Sequence, residues 1–207
     1  MNKARLESFS DGVIAVAITL LVLNLKVPSS GTHNTLAHQL LHQWPSYAAY
    51  VVSFATVGII WVNHHVVIGR LARVDHVIIL LNLLLLLCIV VVPFATSLVA
   101  SYLNRSRGAN LAAGVYAGTF LVLTVVFVIL NWHILFPKAH LLHTQIAHVE
   151  RRTIIARGFT GVVPYAVATV VAPFSPYATL SICAAIAVFY ASPLATGASW
   201  RRDRSRH

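Results

Sequence analysis

The chain alternates between six long apolar segments and short polar breaks. The apolar segments lie near residues 8–26, 46–69, 76–102, 109–136, 153–172 and 176–197. Each is close to the ~20 residues that an α-helix needs to cross the hydrocarbon core of a bilayer at about 1.5 Å per residue. The pattern therefore predicts an all-α membrane protein with six transmembrane helices, arranged as a single domain over residues 1–207.

The composition supports a membrane protein. Of the 207 residues, 58% are hydrophobic and 10% are charged, and the mean hydropathy is +0.78. Soluble domains are nearer half apolar and a quarter charged, so the lipid bilayer is the expected surroundings of this chain. The net charge of +10 mostly records topology in such a protein. Because no soluble basic surface studded with aromatic residues is predicted, nucleic-acid binding is not expected.

The distribution of basic residues predicts the orientation. With six spans, one side of the membrane holds twelve lysines and arginines and the other side holds three. The first group is Lys3, Arg5, Arg70, Arg73, Lys138, Arg151, Arg152, Arg157, Arg201, Arg202, Arg204 and Arg206, and the second is Lys26, Arg105 and Arg107. Cytoplasmic loops carry the excess of positive charge, so both termini should be cytoplasmic.

Three polar clusters lie at membrane depth, where polar groups are costly and face protein or water. They are Arg5, Ser8, Ser10 and Asp11; Trp61, Asn63, His64 and His65; and Asn82, with Asp75 and His76 just before it. The predicted topology brings all three to the same cytoplasmic level. We expect Asp11 to accept hydrogen bonds from His64 or His65 and from Asn82, with Arg5 nearby.

These clusters admit three interpretations: a polar lock between helices, a gate or proton sensor using imidazoles, and metal ligation. Metal binding is the weakest, because the neighbouring His64 and His65 diverge by about 100° on a helix. His140, His143 and His148 lie in a basic loop without cysteines or paired carboxylates, which favours an interfacial surface. No nucleophile elbow, HExxH, P-loop or dinucleotide motif is present, so the sequence predicts neither an enzyme nor a cofactor.

Four ordered elements carry a family resemblance. They are Arg5 with Phe9-Ser10-Asp11-Gly12, then Trp61-Val62-Asn63-His64-His65, then Val74-Asp75 with Leu81-Asn82-Leu83, and then Pro93-Phe94. Together they resemble the prokaryotic members of the transmembrane protein 175 family, relatives of the endolysosomal potassium channel of animals. The resemblance implies a homotetramer of six-helix subunits whose first helices line a central potassium-permeable pore. It also implies a filter without a TVGYG-like loop, and this sequence has none.

The same resemblance assigns the pore residues. The apolar constrictions at the fifth, ninth and twelfth positions after the motif aspartate correspond to Val16, Leu20 and Leu23, and a threonine ring corresponds to Thr19. Val16 is smaller than the isoleucine or leucine that the family often has, which makes Leu20 or Leu23 a candidate for the narrowest point. These positions share one stripe of a helix with Gly12, a pattern that is also typical of packing faces.

The leading hypothesis is a potassium-selective, leak-type cation channel of a bacterial plasma membrane, with a hydrophobic gate. Its expected partners are potassium ions, the lipid bilayer and copies of itself, and not nucleic acid. A second hypothesis is a proton-linked secondary transporter or proton pathway in which Asp11 and His64 or His65 form a protonatable relay. A third is a membrane scaffold that transports nothing and uses its polar clusters only to hold helices together.

Overall fold

The computed structural model describes residues 3–28, 35–105, 107–144 and 146–192. Within them the regular structure is helical, apart from one isolated antiparallel bridge. The α-helices are α1 (Lys3–Leu20), α2 (Leu36–His42), α3 (Trp44–Gly69), α4 (His76–Tyr102), α5 (Ala109–Leu135), α6 (His148–Val171) and α7 (Pro176–Ala191). The all-helical class predicted from the sequence is therefore confirmed.

Five helices of the described residues are long and apolar enough to cross a membrane: α1 with the 3₁₀ turn Leu21–Asn24 that follows it, α3, α4, α5 and α6. Helix α7 is apolar but has 16 residues. It begins at the start of the sixth predicted segment, whose residues 193–197 lie outside the described part of the chain. Two boundaries differ from the prediction, because α1 begins at Lys3 and α6 at His148, so polar turns extend both apolar runs.

Helix α2 was not predicted. It begins after Thr35, whose hydroxyl accepts a hydrogen bond from the backbone N–H of His38, and such a cap satisfies an amide that the first helical turn leaves unpaired. With seven residues it is too short to appear as a hydrophobic segment.

Helices α4 and α5 form the centre of the bundle. Helix α4 packs against α1, α3 and α5, and α5 also packs against α6 and α7. Both helices contribute fully buried side chains to the core, among them Leu85 and Ile89 of α4 and Phe120 of α5. The Phe120 ring lies edge-on to Tyr116 with centroids 5.0 Å apart and stacks on Tyr165 of α6 at 5.5 Å. Helix α1 packs only against α3, α4 and its own 3₁₀ turn, so it lies at the edge of the bundle.

A buried hydroxyl cluster links α3, α4 and α5. The Ser53 hydroxyl lies 2.8 Å from that of Thr96 and 3.0 Å from that of Tyr116. All three side chains are fully buried, and each hydroxyl therefore needs a partner within the protein. One turn along α3, Thr56 lies 3.5 Å from the hydroxyl of Tyr165. This cluster was not predicted from the sequence, although Ser53 and Thr56 are three residues apart and so share a face of α3.

Two loops meet at the end of the bundle where α3 ends and α4 begins. The backbone N–H of Ala72 donates to Leu141 O at 2.7 Å, and that of His143 donates to Arg70 O at 2.9 Å. Asp75 caps α4 by accepting from the N–H of Ile78 and pairs with Lys138 at 2.8 Å. Burial alone would raise the pKa of Asp75, but the bonds from Lys138 and Ile78 hold it below its usual value.

This ion pair predicts an acid-sensitive contribution to stability. Because the pKa of Asp75 is lowered in the folded protein, its carboxylate stabilises the fold above the ordinary pKa, and the contribution is lost as the pH falls through the folded-state pKa. The Asp75 and Lys138 side chains are 25% and 31% exposed, so we expect at most about 1 kcal/mol.

Melting temperature in mild detergent, measured between neutral and acidic pH, tests this. Asp75→Asn should remove part of the acid-dependent loss and Lys138→Gln should reduce it. Lys26→Gln, at an exposed lysine outside the ion pairs of the described residues, is the matched control. The same pH dependence in all four proteins would contradict the assignment.

Candidate functional site

Helix α1 and the 3₁₀ turn Leu21–Asn24 that continues it have one buried face and one exposed face. The buried face carries Leu6, Ser10, Ile14, Ala17 and Leu21, each at most 2% exposed, at the spacing of one helical stripe. The exposed face carries the predicted pore residues: Val16 is 57%, Leu20 42% and Leu23 71% exposed, and Thr19 is exposed too. A contiguous exposed apolar surface of this kind is typical of a site that contacts another protein, a membrane or a ligand.

Thr19 is the polar member of this exposed stripe. Its hydroxyl donates to the carbonyl oxygen of Val16, one turn earlier, at 2.8 Å. A hydroxyl has one proton and two lone pairs, so this bond uses the proton and leaves the oxygen able to accept. The geometry therefore presents an electron-rich oxygen on a helix face that is otherwise apolar.

A shallow groove runs beside the stripe, between α1 and α4. It is lined by Ser8, Phe9, Gly12, Val13, Val16 and Val90. A Cβ atom built on Gly12 would meet no atom within 4 Å. Another helix can therefore approach the α1 backbone closely at this point.

Three fully buried polar side chains join α1, α3 and α4. Ser10 and Asn82 are 0% exposed and His64 is 1% exposed. The Asn82 amide nitrogen donates to the Ser10 hydroxyl at 2.9 Å, and Ser10 donates in turn to Leu6 O at 2.8 Å. The other end of the Asn82 amide, Oδ1, lies 2.7 Å from Nε2 of His64. We call this chain of bonds the polar lock.

The lock also determines which ring nitrogen of His64 carries a proton. The Asn82 nitrogen is directed at Ser10, so its oxygen must be the acceptor toward His64. Nε2 therefore bears hydrogen, whether the imidazole is neutral or protonated. Each member is satisfied by the other two helices or by its own backbone, as buried polar groups require.

Asp11 has a different partner from the one expected. Its Oδ1 accepts a hydrogen bond from the indole N–H of Trp61 at 2.9 Å. The expected bonds from a histidine and from Asn82 are wrong, because Asp11 follows Ser10 and so points about 100° away from the lock around α1. The bond nevertheless holds α1 to α3, as the clustering of these motifs predicted.

Two other predicted members lie outside the polar lock. His65 is exposed, and its ring lies beside that of Trp61 with centroids 6.2 Å apart. Arg5 is exposed and belongs to neither ion pair of the described residues. The structure thus brings together Ser10, His64 and Asn82, places Asp11 alongside, and leaves Arg5 and His65 on the surface.

The predicted metal-binding alternatives lack support in the described part of the chain, where no group of three histidine, cysteine or acidic side chains could hold an ion. His140, His143 and His148 are all exposed in and beside the loop between α5 and α6. Asp75 and His76 lie at the start of α4, where Asp75 is occupied by the cap and by Lys138.

The sequence model of the family described as endosomal/lysosomal potassium channel TMEM175 matches residues 5–93, which include both the exposed face of α1 and the polar lock. A potassium channel of Streptomyces collinus is 41% identical over 191 residues, covering 92% of each chain. The chain belongs to the TMEM175 family.

Other members of the TMEM175 family agree. A potassium channel of Chamaesiphon minutus is 40% identical over 189 residues, covering 90% of this chain and 92% of the relative. The crystal structure of a lysosomal potassium-selective channel TMEM175 homolog from the same organism superposes with a TM-score of 0.81 at 39% identity, over 91% of this chain and 96% of that one. The family fold therefore extends over nearly the whole chain.

The polar lock predicts that the Asn82 side chain contributes more to the free energy of unfolding than other amide side chains at membrane depth. Asn82→Leu would leave the His64 N–H buried without an acceptor and should lower the free energy of unfolding by about 1–2 kcal/mol. Asn63→Leu is the matched control, because that exposed amide donates only to Ile59 O of its own helix. Denaturant or thermal unfolding in mild detergent measures both, and equal losses would contradict the lock.

Proposed function

We propose that this chain is the subunit of a potassium-selective, leak-type cation channel in which the exposed faces of α1 from four copies surround a central pore. The observation that carries the proposal is the exposed stripe Val16, Thr19, Leu20 and Leu23 on a helix whose opposite face is fully buried. The relatives named potassium channels support the choice of ion. Permeant potassium is the only small ligand that this function needs.

The position of α1 favours a pore over a lipid-facing surface. It lies at the edge of the bundle and packs against α3 and α4 only on its buried side. A lipid-facing stripe would leave the acceptor lone pairs of the Thr19 hydroxyl unused, whereas a ring of four hydroxyl oxygens can replace part of the hydration of a potassium ion. Because its proton is engaged by Val16 O, the Thr19 oxygen is oriented to accept.

The apolar residues then supply the gate. Val16 and Leu23 are seven residues apart, which is about 12 Å along α1 and the 3₁₀ turn after it, and Thr19 and Leu20 lie between them. Rings of apolar side chains at these levels obstruct ions by excluding water from a narrow pore. Val16 has a smaller side chain than Leu20 and Leu23, so we assign the principal barrier to the two leucines and a weaker one to Val16.

In the proposed topology α7 is the sixth span and both termini are cytoplasmic, in a bacterial plasma membrane. The sixteen residues of α7 reach about 24 Å, most of a hydrocarbon core of about 30 Å. The polar lock, the Asp75–Lys138 pair and the loop containing His140 and His143 all lie at the basic, cytoplasmic end. Lys26 and Arg105 lie at the other end.

The polar lock is assigned a structural function: it holds α1 at one rotation so that the stripe faces the pore. The alternative of a proton relay needs a continuous chain between Asp11 and the histidines. Asp11 bonds to Trp61 and His64 bonds to Asn82, and the two pairs share no hydrogen bond. This separation favours the channel over a transporter that uses these residues as one relay.

Ion flux into liposomes containing the purified protein tests the proposal. Leu20→Asn and Leu23→Asn should raise potassium flux several-fold because a polar ring stays hydrated, whereas Leu23→Trp should lower it. Val170→Asn and Val170→Trp are the controls, since Val170 of α6 is 69% exposed like Leu23 but lies on a helix that does not pack against α1. No potassium flux from the unmodified protein, or flux that these leucine variants leave unchanged, would overturn the proposal.

A separate prediction concerns Asp11. Asp11→Ala should disrupt subunit assembly before it alters ion selectivity, because the bond to Trp61 positions α1 and does not face the proposed pore. Trp61→Phe removes the same hydrogen bond while keeping an aromatic ring, and should have the same effect in weaker form. Oligomer size in mild detergent and the ratio of potassium to sodium flux measure the two properties. An intact oligomer without ion discrimination would disprove the structural assignment.

A further inference from the structure

The short helix α2 presents two histidines side by side. His38 and His42 are both exposed, their imidazole centroids are 6.5 Å apart and their planes differ by 24°. The cap formed by Thr35 fixes where the helix starts and so fixes the register of both residues. Helix α2 immediately precedes α3, and His64 of the polar lock lies twenty residues after the start of α3, so the pair and the lock are about 30 Å apart along the bundle.

The spacing of this pair has a specific chemical consequence. Residues four apart lie on the same face of a helix, one above the other. Two histidines at i and i+4 are the arrangement by which the HExxH motif presents two nitrogen ligands to one zinc ion. Because both rings are exposed, they can rotate about their side-chain bonds toward a shared ion without displacing a core residue.

We propose that His38 and His42 form a binding site for a divalent transition-metal ion such as Zn²⁺, with water molecules in the remaining coordination positions. Imidazole nitrogens select zinc, copper and nickel, whereas magnesium and calcium prefer oxygen ligands. The intervening residues are Gln39, Leu40 and Leu41, so the general base of the HExxH motif is absent. The proposed site would therefore bind a metal ion but lacks the glutamate with which the HExxH motif catalyses peptide hydrolysis.

Three other histidines of the described residues, His64, His65 and His76, are less suited to this function. His64 is buried and its Nε2 is engaged by Asn82. His65 is exposed but has its ring beside Trp61, and its neighbour His64 points about 100° away. His76 is exposed on α4 and has no histidine three or four residues from it, which makes it the natural control.

Equilibrium dialysis of the full chain, purified without a histidine tag and held in mild detergent, tests the proposal with Zn²⁺ as the probe. We expect His38→Ala and His42→Ala each to lose one equivalent of zinc per subunit relative to the unmodified protein. His76→Ala should keep that equivalent. Parallel dialysis against Mg²⁺ should show no difference between any of these proteins.

A composition-matched variant separates helical geometry from the number of histidines. Leu40→His combined with His42→Ala keeps two histidines in α2 but places them two residues apart, on different faces. This variant should lose the same equivalent as His42→Ala. Unchanged elution in size-exclusion chromatography would show that each variant stays folded. Zinc binding that survives in His38→Ala or His42→Ala, or that the shifted pair retains, would overturn the proposal.

Discussion

The structure depends on satisfying three buried polar side chains inside an apolar bundle. A serine, an asparagine and a histidine without partners would each cost free energy at this depth. Asn82 resolves all three by donating to Ser10 and accepting from His64. An amide is the side chain suited to this position, because it offers a donor at one end and an acceptor at the other. Moving α1, α3 or α4 would break at least one of these bonds.

Because α1 is a rigid helix, fixing the direction of one side chain fixes the rotation of the helix and so the residues on its exposed face. At about 100° per residue, nine residues after Ser10 correspond to two and a half turns, which places Thr19 on the opposite side of the helix. Burying Ser10 against Asn82 therefore turns Thr19, together with Leu20 and Leu23, outward. The selection of an exposed face on α1 thus follows from a hydrogen bond made on its other face.

Hydropathy was enough to find every α-helix of the described residues except the seven-residue α2, because a bilayer requires long apolar runs and the residues that interrupt them are conspicuous. The same logic found the members of the polar lock, since Ser10, His64 and Asn82 stand out in apolar surroundings. It failed on the pairing, because neighbours such as Ser10 and Asp11 differ by about 100° in direction and only packing decides which one meets Asn82. Ser53 and Thr96 escaped notice because hydroxyls are common in membrane helices and often bond to their own backbone, as Thr96 does to Val92 O.

The two faces of α1 each carry a hydroxyl that donates its proton to a backbone carbonyl oxygen of the same helix. Ser10 gives its proton to Leu6 O and Thr19 gives its proton to Val16 O, so each hydroxyl is left as an acceptor. On the buried face that acceptor is occupied by the Asn82 amide at 2.9 Å. On the exposed face no described side chain donates to Thr19, and a cation that has shed water needs oxygen ligands of this kind. The Ser10 oxygen accepts a hydrogen bond from Asn82. In the proposed pore, the Thr19 oxygen would instead coordinate a permeating potassium ion. The same kind of backbone bond thus leaves Ser10 an acceptor for the lock and leaves Thr19 an acceptor for the ion in the proposed pore.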